Sequence, residues 1–167
     1  MAIRFIPAEA RHLQGLQAFI LEHGANVWNW LPVAGIEAHL RDIADGEVYA
    51  LLAMDADQWL GVVTFCSTQD FVRYQPAERQ GIAHGYICEA VVRRDQAGRG
   101  LGTQLLLQAA ANLQAQGLLE IYIDRHEENV ASAGMMRKAG FVELETFAEP
   151  ERRPHGSGRT TVCRLLV

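Results

Sequence analysis

Apolar and polar positions follow two patterns along this chain, one typical of strands and the other of helices. Short apolar runs rich in β-branched and aromatic residues predict strands, whereas apolar residues spaced three and four apart predict helices. The strand pattern covers 3–7, 47–54, 59–67, 86–92, 119–124, 141–147 and 159–166. The helix pattern covers 8–24, 36–44, 103–116 and 129–138. We therefore predict an α/β (α+β) fold, with about seven strands in a single sheet flanked by about four helices.

Composition narrows the class of protein further. The 167 residues contain no repeat, linker or low-complexity tract, so we predict one domain over residues 1–167. A net charge of −5 without a basic run argues against nucleic acid as a partner. The sequence lacks a signal-peptide pattern and any apolar run of membrane-spanning length, so we expect a cytoplasmic protein and no membrane. Cys66, Cys88 and Cys163 are predicted to be reduced and buried.

The stretch from Gly98 to Thr103 separates a predicted strand from a predicted helix and carries the clearest candidate chemistry. Glycines at every second position leave backbone amides uncovered and permit positive φ. Amides that converge at a helix N-terminus bind anions, because they lack partners and lie at the positive end of the helix dipole. No Lys-Ser or Lys-Thr pair follows, and the spacing is Gly-x-Gly-x-Gly, which argues against a nucleoside-triphosphate loop and a dinucleotide fold. The stretch is thus a candidate phosphate or pyrophosphate site.

Two motifs together resemble the GNAT superfamily of acyl-CoA-dependent N-acetyltransferases. A strand ending at Val92 precedes Ala97-Gly98-Arg99-Gly100-Leu101-Gly102, which is similar to the family's Q/R-x-x-G-x-G/A turn, with Ala97 at the usual Gln or Arg position. Some thirty residues later, Asn129-x-x-Ser132 leads to Lys138-x-Gly140-Phe141, similar to the family's second stretch.

The resemblance implies a mixed, mostly antiparallel sheet whose central strand pair splays apart, with acetyl-CoA (coenzyme A) as co-substrate and no metal. Its pantetheine arm would run beside the backbone of Ala90, Val91 and Val92. Its pyrophosphate would be held by the amides of Gly98, Arg99, Gly100, Leu101, Gly102 and Thr103. Asn129 and Ser132 would contact the pantetheine and phosphate end, with Lys138 nearby. Asn129 is equally suited to capping a helix, and Lys138 to being a solvated helix-end charge.

Catalysis departs from the family pattern. The tyrosine that many relatives use as an acid is Met136 here, which has no proton to donate. Candidates for the general base are Glu89 and Asp124, on the two strands that would flank the thioester, and His84, a loop residue just before the strand. A backbone N–H of Ala90 or Val91 is the candidate oxyanion donor.

A tryptophan-rich segment is the candidate wall of the substrate pocket. Trp28 and Trp30 lie in a Pro-interrupted segment, where they either line that pocket or plug the edge of the core.

The resemblance implies an N-acetyltransferase acting on a primary amine of a small molecule or a protein N-terminus. The Asn-x-x-Ser stretch without the tyrosine resembles the branch with ribosomal-protein N-terminal acetyltransferases. The negative net charge mildly favours a cationic acceptor. Two alternatives are a coenzyme A-binding sensor without catalysis and a structural subunit that uses the loop with His155. Dimers are common in the family, so a homodimer is possible.

Overall fold

The structure is a computed structural model that describes residues 2–167. Within this range the strands are β1 (Ile3–Pro7), β2 (Tyr49–Asp55), β3 (Gln58–Thr68), β4 (His84–Val92), β5 (Glu120–His126), β6 (Val142–Ala148) and β7 (Arg159–Leu166). The α-helices are α1 (Leu13–Gly24), α2 (Val33–Ala44), α3 (Leu101–Ala115) and α4 (Val130–Lys138). The order and type of these elements agree with the sequence prediction.

One seven-stranded sheet runs through the molecule in the order β1-β2-β3-β4-β5-β7-β6. Neighbouring strands are antiparallel except β4 and β5, which are parallel and joined through α3. Only two positions of β4 pair with β5, Gly85 with Ile121 and Tyr86 with Tyr122. Beyond them β4 continues to Val92 without a partner on that side, which leaves a groove between the strands. The predicted mixed sheet with a splayed central pair is confirmed.

Helices cover both faces of the sheet, and successive strand residues alternate between the two cores. Along β4 an extra residue at Cys88, opposite the step from Thr64 to Phe65, interrupts this alternation. Ile87 and Ala90 therefore both pack on the α3–α4 side, whereas Val91 packs on the α1–α2 side. Because both faces are covered, the central strands consist of nearly continuous apolar residues. None of the helices in residues 2–167 combines the length and hydropathy that a membrane span requires.

Two helix starts differ from the prediction by three residues or more. A 3-10 turn over Ala10–His12 precedes α1, so the α-helix itself begins at Leu13 rather than Ala8. Helix α2 begins at Val33, three residues before the predicted start, and Pro32 is its N-cap. Proline suits a helix start because it has no N–H to leave unpaired.

His84 was expected in a loop, but it is the first residue of β4 and is completely buried. Its Nε2 accepts a hydrogen bond from the Phe71 N–H (3.0 Å), and its Nδ1 lies 3.0 Å from the Ile82 carbonyl oxygen. Both ring nitrogens therefore hold the 68–85 segment against the sheet. This corrects the placement of His84 in a loop, and it argues against His84 as the base because both ring nitrogens already have partners.

The three cysteines are free, as expected, but only Cys163 is fully buried. Cys66 and Cys88 lie on adjacent strands with their Sγ atoms 3.8 Å apart. No local sequence pattern predicts this contact, because the two cysteines are 22 residues apart.

Candidate active site

The groove between β4 and β5 is the first part of the candidate site. It encloses about 150 Å³. The lining includes Ala90, Val91, Val92, Asn129, Ser132, Met135 and Met136. Six of the residues that the resemblance assigns to the cofactor or the absent acid therefore face one space, although they come from strand β4 and helix α4.

Peptide groups along β4 point alternately toward β3 and toward the groove. Only those that face the groove can form hydrogen bonds with a molecule bound there. Arg93 donates its N–H to the Leu60 carbonyl on β3 (2.8 Å). Bonded and non-bonded positions alternate in an antiparallel pair, so Val91, two residues earlier, also turns its peptide group toward β3. The peptide groups of Ala90 and Val92 consequently point into the groove. Of the two candidate oxyanion donors, Ala90 has its N–H on the groove side and Val91 does not.

The glycine turn follows directly after β4 and ends at the start of α3. Gly98 and Gly100 have φ of 79° and 78°, and Gly100 is the N-cap of α3. No acceptor in the described residues pairs with the N–H groups from Gly98 to Thr103. Gly102 has a different role, because a Cβ there would clash with the Met135 Sδ. The turn thus offers free amides, while its third glycine lets α3 and α4 approach each other.

Helix α4 borders the groove with its N-terminus. The Asn129 side chain accepts a hydrogen bond from the Ser132 N–H (3.1 Å), so it caps this helix while lining the groove. Lys138 is exposed at the opposite end of α4 and is not among the groove-lining residues. The structure therefore brings Asn129 and Ser132, but not Lys138, to the groove.

A second cavity of about 310 Å³ adjoins the groove on the α1–α2 side of the sheet. Its lining includes Asn29, Trp30, His39, Tyr86, Cys88, Glu89, Arg152 and Arg153. Trp30 is half exposed there, whereas Trp28 lines the groove and packs against His126 with ring centroids 4.7 Å apart. Five residues line both spaces and so mark their junction: Asn29, Cys88, Glu89, Arg152 and Arg153.

Glu89 has an environment that suits proton transfer. Burial raises the pKa of its carboxyl to about 7, although contact with the Asn29 side chain partly opposes this. Its backbone N–H donates to the Thr64 Oγ1 (3.1 Å), and the Thr64 hydroxyl also bonds the His39 Nε2 (2.8 Å). This fully buried threonine fixes the strand at Glu89. A carboxyl group with a pKa near 7 is about half ionised at neutral pH and can accept a proton.

Asp124 is occupied by hydrogen-bond donors from three side chains. Its carboxylate accepts two bonds from Arg152 (3.1 Å each), one from Tyr86 (3.1 Å) and a longer one from Arg153 (3.5 Å). A carboxylate held in this way orients its partners. The geometry thus favours Glu89 over Asp124 as the base.

Arg152 and Arg153 belong to the site but were not among the sequence-predicted site residues. They lie between the last two strands, about sixty residues from Glu89, in a segment rich in Pro and Gly. The available signal was a pair of adjacent arginines in an irregular segment, which is also common on protein surfaces. Among the described residues, no group of three or more His, Cys, Asp or Glu is arranged to hold a metal ion.

Comparison with known proteins identifies the family. A model described as acetyltransferase (GNAT) family matches residues 16–141. The chain therefore belongs to the GNAT acetyltransferases and is an acyltransferase of that class. No curated protein sequence matches it significantly.

Solved structures share the fold over nearly their whole length. One is a ribosomal-protein-alanine N-acetyltransferase from Brucella melitensis, with 17% identity, TM-score 0.72 and 100% of both chains covered. Another is a ribosomal L7/L12 alpha-N-protein acetyltransferase in complex with coenzyme A, with 14% identity, TM-score 0.71, and 100% of this chain and 95% of that chain covered. A third is a mosquito arylalkylamine N-acetyltransferase like 5b, with 13% identity, TM-score 0.75, and coverage of 99% and 100%. These identities establish likeness of fold alone.

Proposed function

We propose that the protein transfers an acetyl group from acetyl-CoA to a primary amine, by direct attack of the amine on the thioester. Glu89 carries this proposal, because it lines both the groove and the adjoining cavity and its pKa is raised to about 7. The groove would hold the acyl donor and the cavity the amine. The two substrates would then meet at Glu89.

The groove fits the acyl donor in its hydrogen-bonding groups and its position. The outward carbonyl of Ala90 and the outward peptide group of Val92 can pair with the pantetheine amides, as an added strand would. The free amides from Gly98 to Thr103 suit the pyrophosphate. Acetyl-CoA supplies the thioester carbonyl that the amine attacks.

Two residues act at the reacting atoms in this proposal, Glu89 and Ala90. Glu89 takes the proton from the amine, directly or through a water molecule, because its carboxylate is available at neutral pH. The Ala90 N–H donates to the carbonyl oxygen as negative charge develops there. Met136 is buried in the groove wall and has no proton to offer. The coenzyme A thiol has a pKa near 8–9, so its thiolate can leave without full protonation.

Release of free thiol from acetyl-CoA across a panel of primary amines tests this function. The panel should include small amines, amino acids and short peptides with free N-termini. We expect thiol release that depends on one class of amine, and calorimetric binding of coenzyme A. Binding of coenzyme A without amine-dependent thiol release would contradict the proposal and favour a coenzyme A sensor.

A further inference from the structure

Two adjacent arginines line the amine cavity, although the chemistry above assigns them no role. Arg152 and Arg153 follow β6 in a tight turn. The Glu149 carbonyl accepts the backbone N–H of both residues, at 3.1 and 2.9 Å. The turn therefore fixes both side chains beside Asp124 at the end of β5.

The two guanidinium groups differ in how fully they are paired. Arg152 makes two hydrogen bonds to Asp124 and one to Glu149, all at 3.1 Å. Arg153 donates from Nε to the Thr160 Oγ1 (2.9 Å) and reaches Asp124 from Nη2 at only 3.5 Å. Its Nη1 has no acceptor within residues 2–167, but this atom keeps contact with solvent and is not a buried donor without a partner. Arg153 thus has a spare donor beside the cavity.

The two carboxylates beside the arginines, Asp124 and Glu149, bond Arg152 more closely than Arg153. Asp124 is shared with Arg152, and Glu149 bonds Arg152 and the Thr160 hydroxyl. Burial, followed by repulsion from Arg152, lowers the pKa of Arg153. A guanidinium donor without a protein acceptor can bind an anionic group through a charge-assisted hydrogen bond. An anionic group in the cavity would pair with the free Arg153 Nη1 in this way.

We propose that the acceptor amine carries a carboxylate that binds Arg153, which makes amino acids or similar small amino carboxylates the substrate class. This inference rests on the proposed N-acetyl transfer. The amino group of such a molecule would lie toward Glu89 and its carboxylate toward Arg153, since both residues line the same cavity. A cavity of about 310 Å³ has room for a small molecule.

The net charge of −5 had mildly favoured a cationic acceptor. Charges on the outer surface are screened within about 8–10 Å at ordinary salt. The groups that line the cavity therefore decide its preference, and they include Arg152 and Arg153.

Matched substrates test the proposal directly. The ratio of kcat/KM for an amino acid to that for its amide compares a carboxylate with a neutral group of similar size. In the unmodified protein we expect a ratio of about ten or more, because charge-assisted hydrogen bonds are among the stronger contacts. Arg153→Gln should lower the ratio about tenfold. Arg159→Gln, which alters an exposed arginine paired with Glu127, is the control and should leave the ratio unchanged.

Three results would contradict the assignment of a carboxylate site at Arg153. A purely structural role for Arg153 would lower both kcat/KM values together and keep the ratio, which would overturn the proposal. Preference of the unmodified protein for amides or neutral peptides would also overturn it, while acetyl transfer would stand. An aminoalkyl phosphonate in the panel distinguishes a carboxylate site from a phosphate site, and preference for the phosphonate would contradict the assigned class.

A binding measurement keeps the test decisive if no amine is acetylated. Calorimetry in the presence of coenzyme A would compare an N-acetyl amino acid with its amide. Tighter binding of the acid that disappears in Arg153→Gln would support the anion site while the proposed reaction fails. Equal binding of acid and amide would reject the anion site as well.

Discussion

Replacing Glu89 with glutamine should lower turnover and raise stability together, with both effects dependent on pH. Glutamine keeps the size of the side chain but cannot accept the proton of the amine. We expect a fall of at least about tenfold in kcat, since general bases contribute roughly 10²–10⁴-fold. Coenzyme A affinity should hardly change, because the proposed cofactor contacts come from backbone groups of β4 and the glycine turn. The rise of kcat/KM toward an apparent pKa near 7 should disappear in the variant.

The stability effect follows from the raised pKa of Glu89. The folded protein keeps this carboxyl protonated up to about pH 7, whereas the unfolded chain loses the proton near its ordinary pKa of 4.5. Between these values the folded state binds more protons, so the stability of the unmodified protein falls as pH rises. With these two pKa values, the loss between pH 5 and pH 8 is about 2–3 kcal/mol. Glu89→Gln lacks this titration, so its stability relative to the unmodified protein should increase by that amount over the same interval.

Urea unfolding of both proteins at pH 5 and pH 8 measures the stability difference, and thiol release measures turnover. Glu47→Gln is a suitable control, because Glu47 is an exposed glutamate in the α2–β2 turn and no hydrogen bond of its side chain is found in the described chain. A stability difference that does not change with pH would refute the raised pKa. An unchanged turnover would remove Glu89 as the base, whatever its pKa.

Three further substitutions test the glycine turn, the contact between Thr64 and β4, and the role of Asp124. Gly100→Glu should abolish coenzyme A binding in calorimetry. Its control is Gly46→Glu, which has a similar positive φ and equally open surroundings, so it should strain the backbone to a similar extent but bind coenzyme A normally. Equal binding of coenzyme A by both variants would reject the pyrophosphate site. Thr64→Val should cost about 1–3 kcal/mol in urea unfolding, because it leaves the partly buried Glu89 N–H and His39 Nε2 without their partner, and Thr64→Ser should recover most of that loss. Asp124→Asn should destabilise the fold by about 3 kcal/mol, because it leaves paired arginines uncompensated. The kcat/KM of this variant should still rise with pH toward an apparent pKa near 7. Loss of that rise would indicate that Asp124, rather than Glu89, is the general base.

The elements of the fold were largely predictable because their signals are local. Strand and helix patterns located all seven strands and all four α-helices of the described chain, with most boundaries within three residues. The positive φ of Gly98 and Gly100 follows from the glycines themselves, and Asn129 before α4 follows from its capping chemistry. His84 was misplaced because its burial depends on Phe71 and Ile82, which pack on it from an irregular segment.

Sequence alone determined the family motifs, the order of elements and the glutamate on β4, since each depends on neighbouring residues. Tertiary structure decided which groups meet. It turned the Ala90 peptide group, rather than that of Val91, into the groove, because the pairing of β4 with β3 sets the alternation. It also brought Arg152 and Arg153 to Asp124 and the cavity of Glu89, across separations that no local pattern records. The raised pKa of Glu89 has the same origin, because burial is a property of the assembled fold.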